Sequence, residues 1–409
     1  MLNVLTMISV SQALEIIRVH TPAPQPDEVS LEDACGRTLC KDIYTDTPIP
    51  PFHRATMDGF AFRAADVSLP GTRLRVVGES AAGHGFPGTV GRGEAVRIMT
   101  GAAVPSGADC VAMVEKTSSE GEIVVIQEAG HGGKNIAPAG SEVGMSDFIP
   151  AGRRIGAADL AVLAAFGATR VPVYRDPEVA VLVTGDELIE PGCKPAGTQI
   201  RNSNAYSLRA QVRSCGIEPH YLGVAPDKEE ILQSKIEASL AHDVAVFSGG
   251  VSVGQYDLIS TCLERLKARI HFNKVSLKPG KPLTFATLHG KLLFGLPGNP
   301  VSCFVTFEIF VRPVIAALQG RQYAPQRILA TAQNSFTNKG PRPYYAPALT
   351  RCTDGGWETK ILAIRGSADI FRFSEADSLV LLPPDTELTA GDRVSVLLLN
   401  DYLERTGRQ

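Results

Sequence analysis

The chain has 409 residues, more than one hydrophobic core organises, because domains cluster near ~100 to 200 residues, so about two to four domains are expected. Apolar residues make up 44% and charged residues 20%, a balance that supports a large buried core and excludes general disorder. A net charge of -3, with lysine and arginine scattered along the chain, offers no field for a polyanionic backbone and excludes nucleic acid as a partner. The eight cysteines form no CxxC pair and most sit in apolar runs, as reduced thiols of a cytoplasmic protein do. The first ten residues lack a basic n-region and a small-residue cleavage site, so no secretion signal is expected. The longest apolar run, Val301 to Leu318, carries Glu308, Arg312 and Pro313 and is shorter than the ~20 clean residues of a span, so it reads as a buried helix and not a membrane segment.

In chain order, a helix is predicted from about Ser11 to Val19, followed by a Pro-rich link and by Ser30-Leu-Glu-Asp33, a capping-box pattern opening a short helix closed by Gly36. From Leu74 to Glu128, short runs rich in β-formers alternate with Gly/Pro/Ser turns, which predicts an inserted β domain over 51–141. The alanine-rich helix Gly156 to Phe166 returns toward the N-terminal material, so 1–50 and 142–176 are expected to form one discontinuous domain. From Val179, strands (EVAVLVT, YLGVA, DVAVFS) alternate with helices, the pattern of a mostly parallel open α/β sheet, placed over 177–322. RILATAQ, SLVLLP and RVSVLLL then predict a C-terminal β domain over 323–409.

Ligands of an open parallel sheet bind beyond the carboxyl ends of its strands, where loops and helix N-termini expose backbone N–H groups. The loops to read are therefore Gly185-Asp186-Glu187, Pro226-Asp227 and the run from Gly249 and Gly250 through Ser252 to Asp257. Two carboxylates directly after a buried strand suit Mg²⁺ ligation or ribose binding, whereas Asp227 reads equally well as a helix cap. Closely spaced glycines let backbone amides approach a phosphate without Cβ interference. Lys278-Pro-Gly-Lys281-Pro places two ammonium groups on a constrained loop suited to an oxyanion. Pro297-Gly298-Asn299-Pro300 opens the last helix of the α/β region and presents an anion-binding N-terminus.

Two patterns mislead. Gly250-Val-Ser252-Val-Gly254 matches the GxSxG of a hydrolase elbow, with Ser252 as nucleophile, but the only later histidines are His271 and His289, in or near predicted strands. Gly83-His-Gly85-Phe-Pro-Gly88 matches GxGxxG without the helix a dinucleotide fold needs. No HExxH, paired CxxC or Walker pattern is present.

Six runs in order, TMDGFA (from Thr56), RIMTGAAVP (from Arg97), TGDEL (from Thr184), SGGVSVGQYD (from Ser248), KPGKP (from Lys278) and LPGNPVS (from Leu296), resemble the molybdopterin molybdenumtransferase family, which includes bacterial MoeA and the gephyrin E domain. The resemblance spans nearly the whole chain. It implies a four-domain, elongated homodimer that combines α/β and β parts: a central open α/β domain of molybdopterin-binding type, an inserted β domain, a discontinuous N-terminal domain and a C-terminal β-barrel-like domain. It also implies an enzyme that inserts molybdenum from molybdate into adenylylated molybdopterin with Mg²⁺ and releases AMP, its substrate supplied by a molybdopterin adenylyltransferase.

On that resemblance Asp58, Thr100, Asp186, Glu187, Asp227 and Asp257 match the family's catalytic positions, and Asp58 and Thr100 face the cleft across the dimer. Glu142 joins Asp186, Glu187, Asp227 and Asp257 as a metal position. Gly249, Gly250, Ser252, Lys278, Lys281, Pro297, Asn299, Pro300 and Ser367 match substrate-binding ones, Ser367 lying in a pterin-contacting turn. Two departures stand out: Asn135 to Glu142 (NIAPAGSE) replaces an arginine-bearing stretch, and Gln255 replaces a common acid. They keep a non-catalytic pterin- or nucleotide-binding paralogue as the alternative, beside adenylyl transfer from ATP and the Ser252 hydrolase.

Overall fold

Ser9 opens the first helix, α1 (Val10–His20), with a reciprocal cap: its hydroxyl accepts from the Gln12 amide while the Gln12 side chain accepts from the Ser9 amide, and Ala13 and Ile17 are buried. The computed structural model describes residues 7–250, 258–322 and 327–399, so Ser252, Gln255 and Asp257 lie outside the described residues. Two units emerge, one of residues 29–35 and 41–171, the other of residues 1–28, 36–40 and 172–409.

In the first of these, Ser30 caps a turn through the Asp33 amide, but the turn is a 3₁₀ helix, Glu32–Ala34, and not a longer α-helix. Six strands follow: β1 (Gly59–Phe62), β2 (Thr72–Ser80), β3 (Glu94–Ile98), β4 (Cys110–Met113), β5 (Thr117–Glu120) and β6 (Ile123–Ile126), in the order β4-β1-β3-β2-β6-β5. Their inward residues, among them Phe60, Phe62, Leu74, Val124 and Ile126, form a core of their own. Gly59 is required where it stands, since a Cβ there would lie 1.8 Å from the Ala112 carbonyl oxygen. The alanine-rich helix α2 (Ala157–Ala165) begins where the Asp159 carboxylate accepts from the Gly156 amide, and Phe148–Ile149 pairs with Ile43–Tyr44, joining the ends of this unit.

The other unit is built on a six-stranded sheet: β7 (Val179–Thr184), β8 (His220–Ala225), β9 (Val244–Ser248), β10 (Arg269–Lys274), β11 (Pro282–Leu288) and β12 (Lys291–Leu296), in the order β8-β7-β9-β12-β11-β10. Every residue of β7 and β9 is buried, which is why these strands read as unbroken apolar runs. The four strands β8, β7, β9 and β12 are parallel. Helices α3 (Asn204–Arg213), α4 (Glu229–Ser239) and α5 (Leu258–Arg265) lie along the chain between them. The sheet is mostly parallel, as the strand-helix alternation predicts, and β11 alone runs against the rest, antiparallel to both β10 and β12. The cause is a two-residue turn between β11 and β12, His289-Gly290, with both residues at positive φ (51° and 78°), the backbone a tight hairpin demands.

Chain order runs from β7 outward to β8 and then back across to β9, so the strand order reverses between β7 and β9. That is where an open sheet leaves a crevice. Beyond β12, α6 (Pro300–Leu318) is long and apolar enough to cross a membrane, yet most of it is buried inside the protein. It is a core helix, interrupted by a π-helical turn at Phe307–Val311. There Arg312 makes a bidentate pair with Glu308 (2.5 and 2.8 Å), both about 95% buried, and Glu308 also accepts from Gln211 (2.7 Å).

Five strands of the C-terminal stretch, β13 (Arg327–Ala332), β14 (Tyr344–Thr353), β15 (Gly356–Ile361), β16 (Ser378–Leu382) and β17 (Arg393–Leu398), close into a barrel ordered β13-β15-β14-β16-β17. Closure removes the sheet edges. Tyr345, Leu379 and Leu397 of the barrel share a core with α1, α6 and the α/β sheet.

Candidate active site

The crevice between β7 and β9 opens onto a cleft of about 510 Å³ lined by Thr184, Gly185, Glu187, Asp227, Gly249, Gly250 and the Pro297–Pro300 segment. Each comes from a loop beyond a parallel strand, so the sheet topology itself gathers them. Thr184 ends β7 and donates to Asp227 Oδ1 (2.7 Å), while Asp186 Oδ1 accepts from the Asp227 amide (3.0 Å). Asp227 therefore does not cap α4 from the N-cap position, which Lys228 holds. Its side chain joins the β7 loop instead. Asp186, Glu187 and Asp227 are all exposed at the rim.

The glycines bring backbone close to backbone. A Cβ on Gly249 (φ 94°) would lie 2.2 Å from the Thr184 carbonyl oxygen, and one on Gly250 (φ 63°) would lie 3.0 Å from Thr184 Cγ2. No residue with a side chain fits there without movement.

A second cavity, about 560 Å³, shares Pro282, Pro297 and Asn299 with the first. Its walls carry four cations: Lys278 and Lys281 from the loop before β11, and Arg342 and Arg365 from the barrel region. Lys278 Nζ stands 4.5 Å over the Tyr344 ring, and Arg342 donates to the Leu277 carbonyl (2.8 Å). Burial pushes the Tyr344 phenol up to about 12, so it stays neutral beneath the ammonium. The turn at Arg365 to Asp369 is fixed by Asp369, whose carboxyl is held below its ordinary value by the Arg365 amide it accepts from. This turn delivers Ser367 Oγ to Asn299 Nδ2 (2.9 Å), while the Ser367 carbonyl accepts from the Val301 amide (3.0 Å).

The structure thus brings together Glu187, Asp227, Gly249, Gly250, Lys278, Lys281, Pro297, Asn299, Pro300 and Ser367 around two adjoining cavities, with Asp186 held beside the first by the Asp227 amide. Asp58, Thr100 and Glu142 belong to the other unit. There, β1 and β3 are antiparallel neighbours, so Asp58 just before β1 meets Thr100 just after β3. Asp58 Oδ1 accepts from both the amide (2.6 Å) and the hydroxyl (2.7 Å) of Thr100, which hold its carboxyl below the ordinary aspartate value. Glu142 pairs with the Arg54 guanidinium. Cross-strand register sets Arg54 opposite Ala137, so the arginine-poor Asn135 to Glu142 stretch keeps one guanidinium beside it, from the neighbouring strand.

Sequence reading missed the Arg201-Asn-Ser-Asn204 run, which lines the first cleft, and Arg342 and Arg365, which line the second. A cluster of Asn and Ser immediately ahead of a predicted helix was the available signal for the former. Arg365 opens the turn that carries Ser367, whereas nothing local marked Arg342. Among the described residues no histidine lines either cavity: His271 bonds Thr287 and stacks on Phe285, burial lowering its ring to about 4. The hydrolase reading of Ser252, which lies outside the described residues, therefore finds no histidine in either cavity.

An α/β fold with a glycine-lined crevice at the strand reversal, adjoining a cationic cavity, defines a protein that holds an anionic small molecule. Comparison with known proteins is more specific. Residues 8–167 match the MoeA N-terminal region (domain I and II), residues 180–317 match the probable molybdopterin binding domain, and residues 330–399 match the MoeA C-terminal region (domain IV). The molybdopterin molybdenumtransferase of Staphylococcus epidermidis is 34% identical over 401 residues, 96% of each chain. That of Staphylococcus aureus is 34% identical over 402 residues, covering 96% of this chain and 95% of the relative. A structure of the molybdopterin biosynthesis MoeA protein from Pyrococcus horikoshii superposes with a TM-score of 0.85 at 31% identity, covering 96% of this chain and 99% of that one. The chain belongs to the molybdopterin molybdenumtransferase family.

Proposed function

We propose that the chain is a molybdopterin molybdenumtransferase of molybdenum cofactor biosynthesis, which takes molybdate and adenylylated molybdopterin, inserts molybdenum into the pterin dithiolene and releases AMP. The observation that carries this reading is the pair of adjoining cavities, one walled by glycines and carboxylates, the other by four cations, with Pro297 and Asn299 between them. The adenylyl phosphate lies against the Gly249 and Gly250 amides and the N-terminus of α6. Lys278 and Lys281, with Arg342 and Arg365, hold molybdate and the charge that develops during transfer. Ser367 and Asn299 fix the boundary at which the two ligands meet. No side-chain nucleophile is required.

Mg²⁺ fits the first cleft. Among the described residues no group of three or more metal-ligating side chains exists. An ion that keeps its waters needs only one or two carboxylates and the substrate's phosphate oxygens, and exposed Asp186 and Asp227 are hydrogen-bonded side by side, with Glu187 adjacent. When bound, the ion neutralises the phosphoanhydride. Asp257 completes the proposed set from outside the described residues, and Asp58, Thr100 and Glu142 are proposed members from the other unit. Homodimerisation, a four-domain division, a cytoplasmic location and supply by a molybdopterin adenylyltransferase belong to the same reading.

Purified protein given adenylylated molybdopterin, Mg²⁺ and molybdate is expected to liberate AMP in step with molybdenum uptake. No AMP above background would leave the carrier reading standing in its place.

A further inference from the structure

Asn204, the first residue of α3, reaches across the floor of the glycine-lined cleft. Its side-chain amide donates to Ser248 Oγ (2.9 Å), at the end of β9, and to the Gly298 carbonyl (2.7 Å), in the loop that opens α6. One side chain thereby ties together two loops that follow adjacent parallel strands. The side chain is buried, 8% exposed, and its carbonyl oxygen has no hydrogen-bond partner among the described residues. A buried acceptor left unpaired costs stability, so an apolar residue of similar size would serve packing better. What only an amide supplies at this position is the two donors.

We propose that Asn204 is a positioning residue of the reaction: it sets the spacing between Gly249-Gly250 and Pro297–Asn299, and hence the fit of the substrate's phosphate end. The proposal rests on the first cleft being the nucleotide site. The same loop is held on its other side by the Asn299–Ser367 hydrogen bond, which does not involve Asn204. On the nucleotide side Ser248 Oγ also donates to the Pro297 carbonyl (3.3 Å), so loss of Asn204 removes the two shorter side-chain ties there and leaves the cationic side unchanged.

The test is calorimetric titration of the full chain with AMP and, separately, with molybdate, for wild type, Asn204→Ala and Asn204→Asp. Asn204→Ala is expected to weaken AMP by about tenfold or more and molybdate by less than about threefold. Asn204→Asp keeps the shape of the side chain, so it carries the comparison if the alanine variant does not fold. Ionised, it has no donor; protonated, it regains one O–H. Its AMP affinity relative to wild type should accordingly rise as pH falls, while the Asn204→Ala ratio stays flat. A merely structural residue would lower both affinities together and show no such recovery, and that outcome overturns the proposal. So does AMP affinity in both variants within about threefold of wild type. If wild type itself does not bind AMP, the nucleotide reading of the cleft falls and the proposal with it, whereas the preceding outcomes overturn the role of Asn204 alone.

Discussion

Gly249→Ala is the substitution whose effect the geometry dictates most directly. The new Cβ would sit 2.2 Å from the Thr184 carbonyl oxygen, against a closest approach of 3.0 Å for real Cβ atoms, so one loop must retreat by about 0.8 Å. The opposing atom belongs to the backbone at the buried end of β7 and cannot swing aside. A non-glycine residue at φ 94° adds strain of about 1–3 kcal/mol. A displacement of this size in a substrate-positioning loop corresponds to a loss of about a hundredfold in rate. Gly250→Ala is the internal comparison: its nearest obstacles are side-chain atoms, Thr184 Cγ2 at 3.0 Å and Ile259 Cγ1 at 3.2 Å, so it should lose markedly less. AMP release under saturating molybdate, read beside the thermal midpoint, measures both. Gly249→Ala within about threefold of wild type, or Gly250→Ala the more damaging, would refute the close-approach argument.

Lys278→Ala and Lys281→Ala should each raise the KM for molybdate by about ten- to a hundredfold, the worth of a charge-assisted contact, with AMP affinity little altered. Asp227→Asn keeps an oxygen for the Thr184 hydroxyl but loses the charge, so half-maximal AMP release should need about tenfold more Mg²⁺. Glu308→Ala leaves the Arg312 guanidinium buried without its carboxylate and should destabilise the α/β unit by about 3–5 kcal/mol in urea denaturation, whereas replacing both residues by well-packed apolar ones should cost far less. Thr100 depresses the Asp58 carboxyl, so the stabilisation from that contact is complete above the ordinary aspartate value of 3.8 and disappears only as pH falls through the lower folded value. An NMR titration of Asp58 should accordingly begin below that of Asp58 in Thr100→Val.

Much of the architecture was legible because its signals are local. Val179–Thr184 and Val244–Ser248 are buried on both faces, so their composition alone marks central strands, and the loops after them had to hold the ligand-facing groups. The β11–β12 hairpin was hidden because its turn is His289-Gly290 and not the usual Asn-Gly or Asp-Gly. The β14–β15 hairpin, by contrast, carries the usual Asp-Gly turn at Asp354-Gly355.

The residue types and order along the chain determined the family, the α/β centre and the glycine, lysine and carboxylate loops, since periodicity and motif spacing are properties of neighbouring residues. Tertiary structure alone decided what each group faces. It took Asp227 from helix cap to partner of Thr184, set Arg54 beside the arginine-poor Asn135 to Glu142 stretch, and brought Arg342 and Arg365 to the two lysines. It also made Asn204 the tie between two loops. Those contacts join positions some 40 to 90 residues apart, and the register and packing that create them come from how the sheet and barrel close.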